Sequence, residues 1–314
     1  MGEIAVFSGS AHRRLARAIC DALRVPLLPS ELRRFANDCL EVQLQANCRE
    51  RDVFLIQPLC PPVQENLLEL LLMLDAARGA SAARRTVVIP HYSYARSDKK
   101  DAPRISLGGR LVADLLATAG ASRVLTMTLH SPQVHGFFSV PVDHLHALHE
   151  LGEHFKRGDL SRTVVVSPDL GNAKEAAALA KVLGTSFAVA AKKRISDTDV
   201  RVSAVVGDVQ DRDVIILDDE IAKGSTMVEV VGHLRQQNVR SVRLACTHGV
   251  FAPGAVHRLA AIEGVVEIVC TDTVPIRDED RIEKLTVISV APALAEAIRR
   301  IHNGDSVSEL FRVE

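Results

Sequence analysis

At 314 residues, 47% hydrophobic and 25% charged, the chain is long enough to bury two cores of ordinary size. A net charge of −1 and a pI near 6.9 give no field for gathering nucleic acid, and no block of like charges marks a disordered tail. The most apolar stretch, LLELLLMLDAA at 67–77, is too short to span a bilayer and is interrupted by Glu69.

In chain order, short β-branched runs alternate with longer helical periods. The pattern predicts strands at IAVF (4–7), VFLIQ (53–57), TVVIP (86–90), RVLTMTL (123–129) and the VPVDHL segment ending at Leu145. Helices are predicted near 11–24, 63–78 and 107–119. A helix near 146–156 then restarts the alternation. VVVS (164–167), FAVA (187–190), VIILDD (214–219), VRLACT (242–247) and VEIVCT (266–271) follow as strands, with helices near 172–183, 225–237 and 292–302. Strands alternating with helices specify parallel sheets joined by crossovers. The expectation is an α/β chain of two doubly wound, mostly parallel-sheet domains, 1–145 and 146–314, with the last helix able to pack back on the first domain. ASRVLTMTLH (121–130) and RSVRLACTH (240–248) share a basic turn, an apolar strand and a histidine, which points to an internal duplication.

The six cysteines lie far apart without a C-x-x-C pair, as expected of reduced thiols, and no signal peptide precedes IAVFSGS. A soluble, cytoplasmic protein is expected.

Open α/β sheets collect ligands beyond the carboxyl ends of their strands. The residues there are His91 to Arg96, His130 to Gln133, Asp169, Lys192 to Arg194, and Asp218 to Thr226. The segment VIILDDEIAKGSTM ends a strand in Asp218, Asp219 and Glu220, acids that repel one another unless a ligand or cations offset them. No G-x-x-x-x-G-K-[ST] and no G-x-G-x-x-G occurs in the chain. Gly224 permits close backbone approach, Ser225 and Thr226 supply hydroxyls, and a helix start favours a phosphate. Carboxylates just upstream would accept from paired sugar hydroxyls. The competing reading is an acidic helix cap.

AKKRISDTDVR (191–201) is either a solvated hairpin or a cationic loop over phosphates. His130 and Asp169, each after an apolar strand, are either structural residues or ligands of Mg²⁺. HYSYARSDKK (91–100) reads as a basic surface loop or as a base-stacking, polyphosphate-clamping one, with Tyr92, Tyr94 and Arg96 at its centre.

Taken together, FSGSAHRRLA, LLELLLMLDAARGASA, VVIPHYSYARSDKK, TLHSPQVHGFFSVPVDHL, VVSPD and SVSELF resemble the ribose-phosphate pyrophosphokinases over essentially the whole chain. The resemblance implies two domains of type I phosphoribosyltransferase kind, an active site between them, Mg²⁺, and a homo-oligomer, a hexamer built of dimers. It also implies transfer of the β,γ-diphosphoryl group of ATP to the C1 hydroxyl of ribose 5-phosphate, leaving AMP. By the same resemblance His130 and Asp169 would hold Mg²⁺, and Lys192 and Arg194 would be catalytic, with Arg194 also binding substrate. Asp218 and Asp219 would meet ribose hydroxyls, and Ala222, Lys223, Gly224, Ser225 and Thr226 the 5-phosphate. Phe35, Asn37, Asp38, Cys39, Arg96 and Ser97 would contact ATP.

Several positions depart from the commoner pattern. RFANDCLE stands for R-F-x-D-G-E, Ser97 for glutamine, PDLGN for a segment with paired glycines, and AKGST for D-T-x-G-T. These changes bear on adenine contacts, the phosphate grip and allosteric control. A non-catalytic subunit of the same family and a phosphoribosyltransferase are the alternatives; the matching metal, loop and ribose positions favour an active enzyme.

Overall fold

The computed structural model describes residues 2–194 and 200–311, and for 192–194, 200–203, 309 and 311 the backbone alone. The chain divides into two compact units. One holds the residues up to His146, with Thr273–Pro275 and the stretch from Val290; the other holds Ala147–Asp272 and Ile276–Ser289.

The first unit is built from β1 (Ile4–Ser8), α1 (Arg13–Leu23), β2 (Leu27–Leu28), β3 (Ser30–Arg34), β4 (Leu40–Leu44), β5 (Asp52–Ile56), α2 (Val63–Gly79), β6 (Arg84–Ile89), α3 (Gly108–Ala119), β7 (Arg123–Met127) and β8 (Val142–Leu145). The second contains α4 (Leu148–Phe155), β9 (Thr163–Ser167), α5 (Ala173–Leu183), β10 (Ser186–Arg194), β11 (Val200–Val206), β12 (Asp213–Ile221), α6 (Ser225–Gln236), β13 (Ser241–Gly249), α7 (Ala255–Ala260), β14 (Val265–Thr271) and β15 (Leu285–Ile288). The closing helix α8 (Ala291–Asn303) belongs to the first unit.

Strands such as DVFLI and TVVVS are buried at every position, because helices cover both faces of a parallel sheet. The first sheet has the order β2-β1-β5-β6-β7-β8, all parallel. The second runs β11-β10-β9-β12-β13-β14-β15, and of its strand pairs among the described residues only β10–β11 is antiparallel; β3 and β4 form a separate antiparallel pair. Leu55, Leu74, Val87 and Val124 lie in one core, Val166, Ile216, Val230 and Leu244 in the other. Burying each such side chain stabilises the fold by about 1.5–3 kcal/mol.

The duplication is present in the topology, but in a different register from the sequence match. Setting β1, β5, β6, β7 and β8 beside β9, β12, β13, β14 and β15 superposes the two strand orders. RVLTM of β7 then corresponds to β14, and the β13 segment to β6. The basic-turn and histidine likeness joins two strands that hold different places in the sheets.

Glu69, which the sequence offered only as a break in an apolar run, is buried and fully used. Its carboxylate accepts from Ser10 N at 2.9 Å, Ser10 Oγ at 2.6 Å and Gln57 Nε2 at 2.6 Å, locking the turn after β1.

Helix α8 lies against α1 and is tied down at its end. Buried Asp52 pairs through Oδ2 with Arg84 and with His302 Nδ1 at 2.8 Å, while Arg84 also donates to the carbonyls of Ile301 (3.3 Å) and His302 (3.1 Å). Asp52→Ala is therefore expected to lower unfolding stability by about 1.5–3 kcal/mol, the scale of hydrogen bonds to a charged group. Urea denaturation checks this, and an unchanged midpoint would show that α8 docks through apolar contacts alone.

Candidate active site

In the second unit the acids of β12 stand where the strand has parted from β9 but still pairs with β13. Asp218 and Asp219 are half-buried, and Asp219 N donates to Asp218 Oδ1 at 3.0 Å. Burial first, then the charge of Asp219 and more weakly that of Asp169, push the Asp218 carboxyl well above the usual carboxylate range. Three carboxylates thus share one neighbourhood.

The loop after β12 is shaped by backbone bonds. Phe251 N donates to Ile221 O and Ala252 N to Ala222 O, each at 3.0 Å, and the Arg258 guanidinium donates to Lys223 O. Gly224 has φ +73, a left-handed conformation that favours glycine, and a Cβ there would press on Leu259 Cδ1 at 3.0 Å. It is also the N-cap of α6, and no side chain caps that helix. The acidic-cap reading fails for this reason: Asp218, Asp219 and Glu220 lie within β12, upstream of the cap. The first N–H groups of α6, at Ser225 and Thr226, form the positive end of the helix without a capping side chain.

Asp169 follows β9 in a turn fixed by its own neighbours. Ser167 Oγ donates to Asp169 O at 2.6 Å, and Asn172 N donates to Asp169 Oδ1 at 3.2 Å. Lys192, Lys193 and Arg194 sit on the far part of β10, where their backbone pairs with Val202, Arg201 and Val200. Their side chains lie outside the described residues.

In the first unit, His130 is exposed just beyond β7. Thr128 before it has φ +41, a left-handed conformation that a β-branched residue seldom adopts. Thr128 N donates to Leu145 O and Leu129 N to His144 Nε2, both at 2.8 Å, so β8 holds the kink that turns His130 outward. His144 was not singled out from the sequence, where one histidine among several carried no distinguishing signal.

The loop after β6 divides its residues between core and surface. Arg96 is exposed, but Tyr92 is 3% exposed, donates to Gly109 O at 2.8 Å and packs against Phe138. Tyr92 is therefore a core residue, and the expectation that it stacks on a base is withdrawn. Ser97 Oγ accepts from Gly108 N at 2.8 Å and donates to Ser106 O at 3.3 Å, closing its own loop.

The β3–β4 hairpin, which the sequence pattern did not reveal, carries Phe35, Asn37, Asp38 and Cys39 at its tip. Phe35 is 50% exposed. Phe35 N donates to Cys39 O, Asp38 N to Phe35 O, and Cys39 N to Asn37 Oδ1. Asp38 has φ +70, and Arg34 bridges Asp38 (2.5 Å) and Glu65 of α2 (2.6 Å).

The donor set suits a hard cation. Among the described residues no three His, Cys, Asp or Glu side chains converge as a protein cage. Magnesium typically uses one or two carboxylates together with water and substrate phosphates, and the mutual repulsion of Asp169 and Asp218 is of the kind that a bound cation would offset.

Residues 4–120 match the profile of the N-terminal domain of ribose phosphate pyrophosphokinase, and residues 193–312 that of the phosphoribosyl synthetase-associated domain. The chain is 70% identical over 311 residues to a putative ribose-phosphate pyrophosphokinase of Streptomyces coelicolor, covering 99% of this chain and 98% of the relative. It is 51% identical over 312 residues to the ribose-phosphate pyrophosphokinase of Deinococcus radiodurans, covering 98% and 97%. The chain belongs to the ribose-phosphate pyrophosphokinase family. The crystal structure of phosphoribosylpyrophosphate synthetase from Mycobacterium smegmatis superposes with a TM-score of 0.88 at 39% identity, covering 96% of this chain and 99% of that one. The fold is accordingly the two mostly parallel, doubly wound sheets of type I phosphoribosyltransferase kind. No helix among the described residues is long and apolar enough to cross a membrane.

Within the second unit, Asp169, Asp218 and Asp219 come together, and the 222–226 loop follows on the same strand. Two neighbours of this group escaped the sequence reading. Asn172 was noticed only as a departure from a glycine pair, and Arg258 reaches Lys223 across 35 residues with no local pattern to announce it.

Proposed function

We propose that the chain is a ribose-phosphate diphosphokinase, moving the β,γ-diphosphoryl group of ATP to the C1 hydroxyl of ribose 5-phosphate and releasing AMP. One observation carries the reading: an acid pair at the end of β12 is followed within a few residues by the uncapped start of α6. Asp218 and Asp219 accept from the vicinal ribose hydroxyls, while N–H groups and hydroxyls of 222–226 hold the 5-phosphate. The names of the relatives support the same reaction class.

His130 and Asp169 are the proposed protein ligands of Mg²⁺, which when bound supplies positive charge against the phosphates. Lys192 and Arg194 neutralise charge that develops as the diphosphoryl group separates from AMP. Phe35, Asn37, Asp38, Cys39, Arg96 and Ser97 are assigned to ATP, with the exposed Phe35 ring offered to the base. Because the hydroxyl, N–H and carbonyl of Ser97 are all engaged within its own loop, its contribution comes through the shape it gives that loop. A cytoplasmic homo-oligomer, a hexamer of dimers, completes the proposal.

The deciding experiment is product analysis by ³¹P NMR with ATP, Mg²⁺ and ribose 5-phosphate. AMP and a 1-diphosphorylated sugar in equal amounts are expected, with ATP turnover only when the sugar is present. ADP as the primary product would refute the reading. No product under varied divalent ions and phosphate would identify a silent family subunit.

A further inference from the structure

Asn172 follows Gly171 in the turn after β9, and both ends of the residue are engaged. Its backbone N–H donates to Asp169 Oδ1 at 3.2 Å, and its side-chain Nδ2 donates to the Leu217 carbonyl at 2.7 Å. Strands β9 and β12 pair in parallel from Thr163 with Asp213 to Val166 with Ile216. One residue past the last of these pairs, Leu217 takes its hydrogen bond from Asn172 instead. The residue after Leu217 is Asp218.

We infer that Asn172 is a positioning residue that sets the spacing between the Asp169 carboxylate and the acid pair at the end of β12, and with it the affinity of the site for a divalent cation. The inference rests on the assignment of Asp169 to Mg²⁺ proposed above. Like charges on the two segments drive them apart, and a loop free to relax would carry Asp169 away from Asp218. Ser167 ends β9 and its Oγ bonds the Asp169 carbonyl, so it fixes the start of the turn and leaves the placing of the Asp169 carboxylate to residues further along it. The amide of Asn172 spans the two segments. Gly171 complements it, because a Cβ there would approach Asp169 Oδ1 to 3.2 Å and crowd the carboxylate. Groups that orient a metal ligand without touching the metal govern affinity in this way.

The test uses Mn²⁺ as the probe, with free Mn²⁺ counted by electron paramagnetic resonance during titration of the whole protein. Asn172→Ala and Asn172→Gly keep the backbone donor and remove the amide. Both are expected to weaken Mn²⁺ binding by about tenfold, the low end of what disturbing the outer support of a metal ligand costs, because the donor to Asp169 stays but its tie to β12 is lost. The Mg²⁺ concentration for half-maximal AMP formation should rise in parallel, with KM for ribose 5-phosphate at saturating Mg²⁺ as in the wild type. A merely structural role would lower the thermal midpoint of both variants and leave Mn²⁺ affinity untouched, and that result overturns the inference. A wild type that binds no Mn²⁺ overturns it equally. Should the wild type bind Mn²⁺ but form no AMP, the proposed reaction falls, and the comparison of Mn²⁺ affinities still decides the role of Asn172.

Discussion

Alanine at Lys192 or Arg194 is expected to lower kcat by about 100- to 1,000-fold, the loss seen when one preorganised charge-stabilising donor is removed. Affinity for ribose 5-phosphate should stay close to that of the wild type, because the proposed sugar contacts lie on β12 and the following loop. The backbone gives the reason for choosing these two cations. Pairing of β9 with β10 stops at Ser167 with Val189, whereas β10 continues against β11 with Lys192 opposite Val202 and Arg194 opposite Val200. The ribbon therefore runs on past the carboxyl end of β9, the end from which the Asp169 loop departs. Positive charge carried there raises kcat to the extent that it meets a group that becomes more negative in the transition state. Steady-state kinetics combined with calorimetric titration of ribose 5-phosphate separates the two effects. A rise in KM with kcat unchanged would assign these side chains to uniform substrate binding.

How far the sequence could be read depended on whether a segment's role was local. Runs such as DVFLI and TVVVS declare buried parallel strands because every position is apolar, and the helices between them carry their own period. The β3–β4 hairpin does not declare itself. SELRR and LEVQL place charged residues along an antiparallel pair, and the hairpin is held from outside through Arg34 and Glu65. β15 is four residues long and exists by pairing with β14, which no local pattern encodes. The acid pair and the glycine turn of the candidate site were legible because charge at a strand end has a local cost. Asn172, His144 and Arg258 were not, since each acts on a backbone group far away in the sequence: Leu217, Leu129 and Lys223. Tyr92 was misread for the same reason. Its hydroxyl partner, Gly109 O, and its packing partner, Phe138, arrive from other segments and turn an apparent surface aromatic into core.

Asp218→Asn is expected to make the ligand-free protein harder to unfold while weakening its hold on ribose 5-phosphate. The carboxyl is raised above the ordinary carboxylate range by burial first, then by Asp219 and Asp169, so its ionised form is disfavoured in the folded chain. A folded-state acid that keeps its proton more tightly than the unfolded chain costs no stability below about pH 3.9, the unfolded value. The cost develops as pH rises from there toward the folded value and persists above it. Asparagine keeps the shape and removes the charge, so the variant should gain about 0.5–2 kcal/mol at neutral pH, the range found when a strained functional group is relieved. The gain should shrink on acidification. The same change removes the charged acceptor offered to the ribose hydroxyls, which should cost about 1.5–3 kcal/mol of binding, or roughly 10- to 150-fold in Kd. Thermal unfolding at pH 4 and pH 8 with calorimetry of ribose 5-phosphate checks both halves. A stability gain equal at the two pH values would mean that packing rather than charge had changed. Unchanged sugar-phosphate affinity would mean that the acids at the end of β12 repel one another for a purpose other than gripping the sugar.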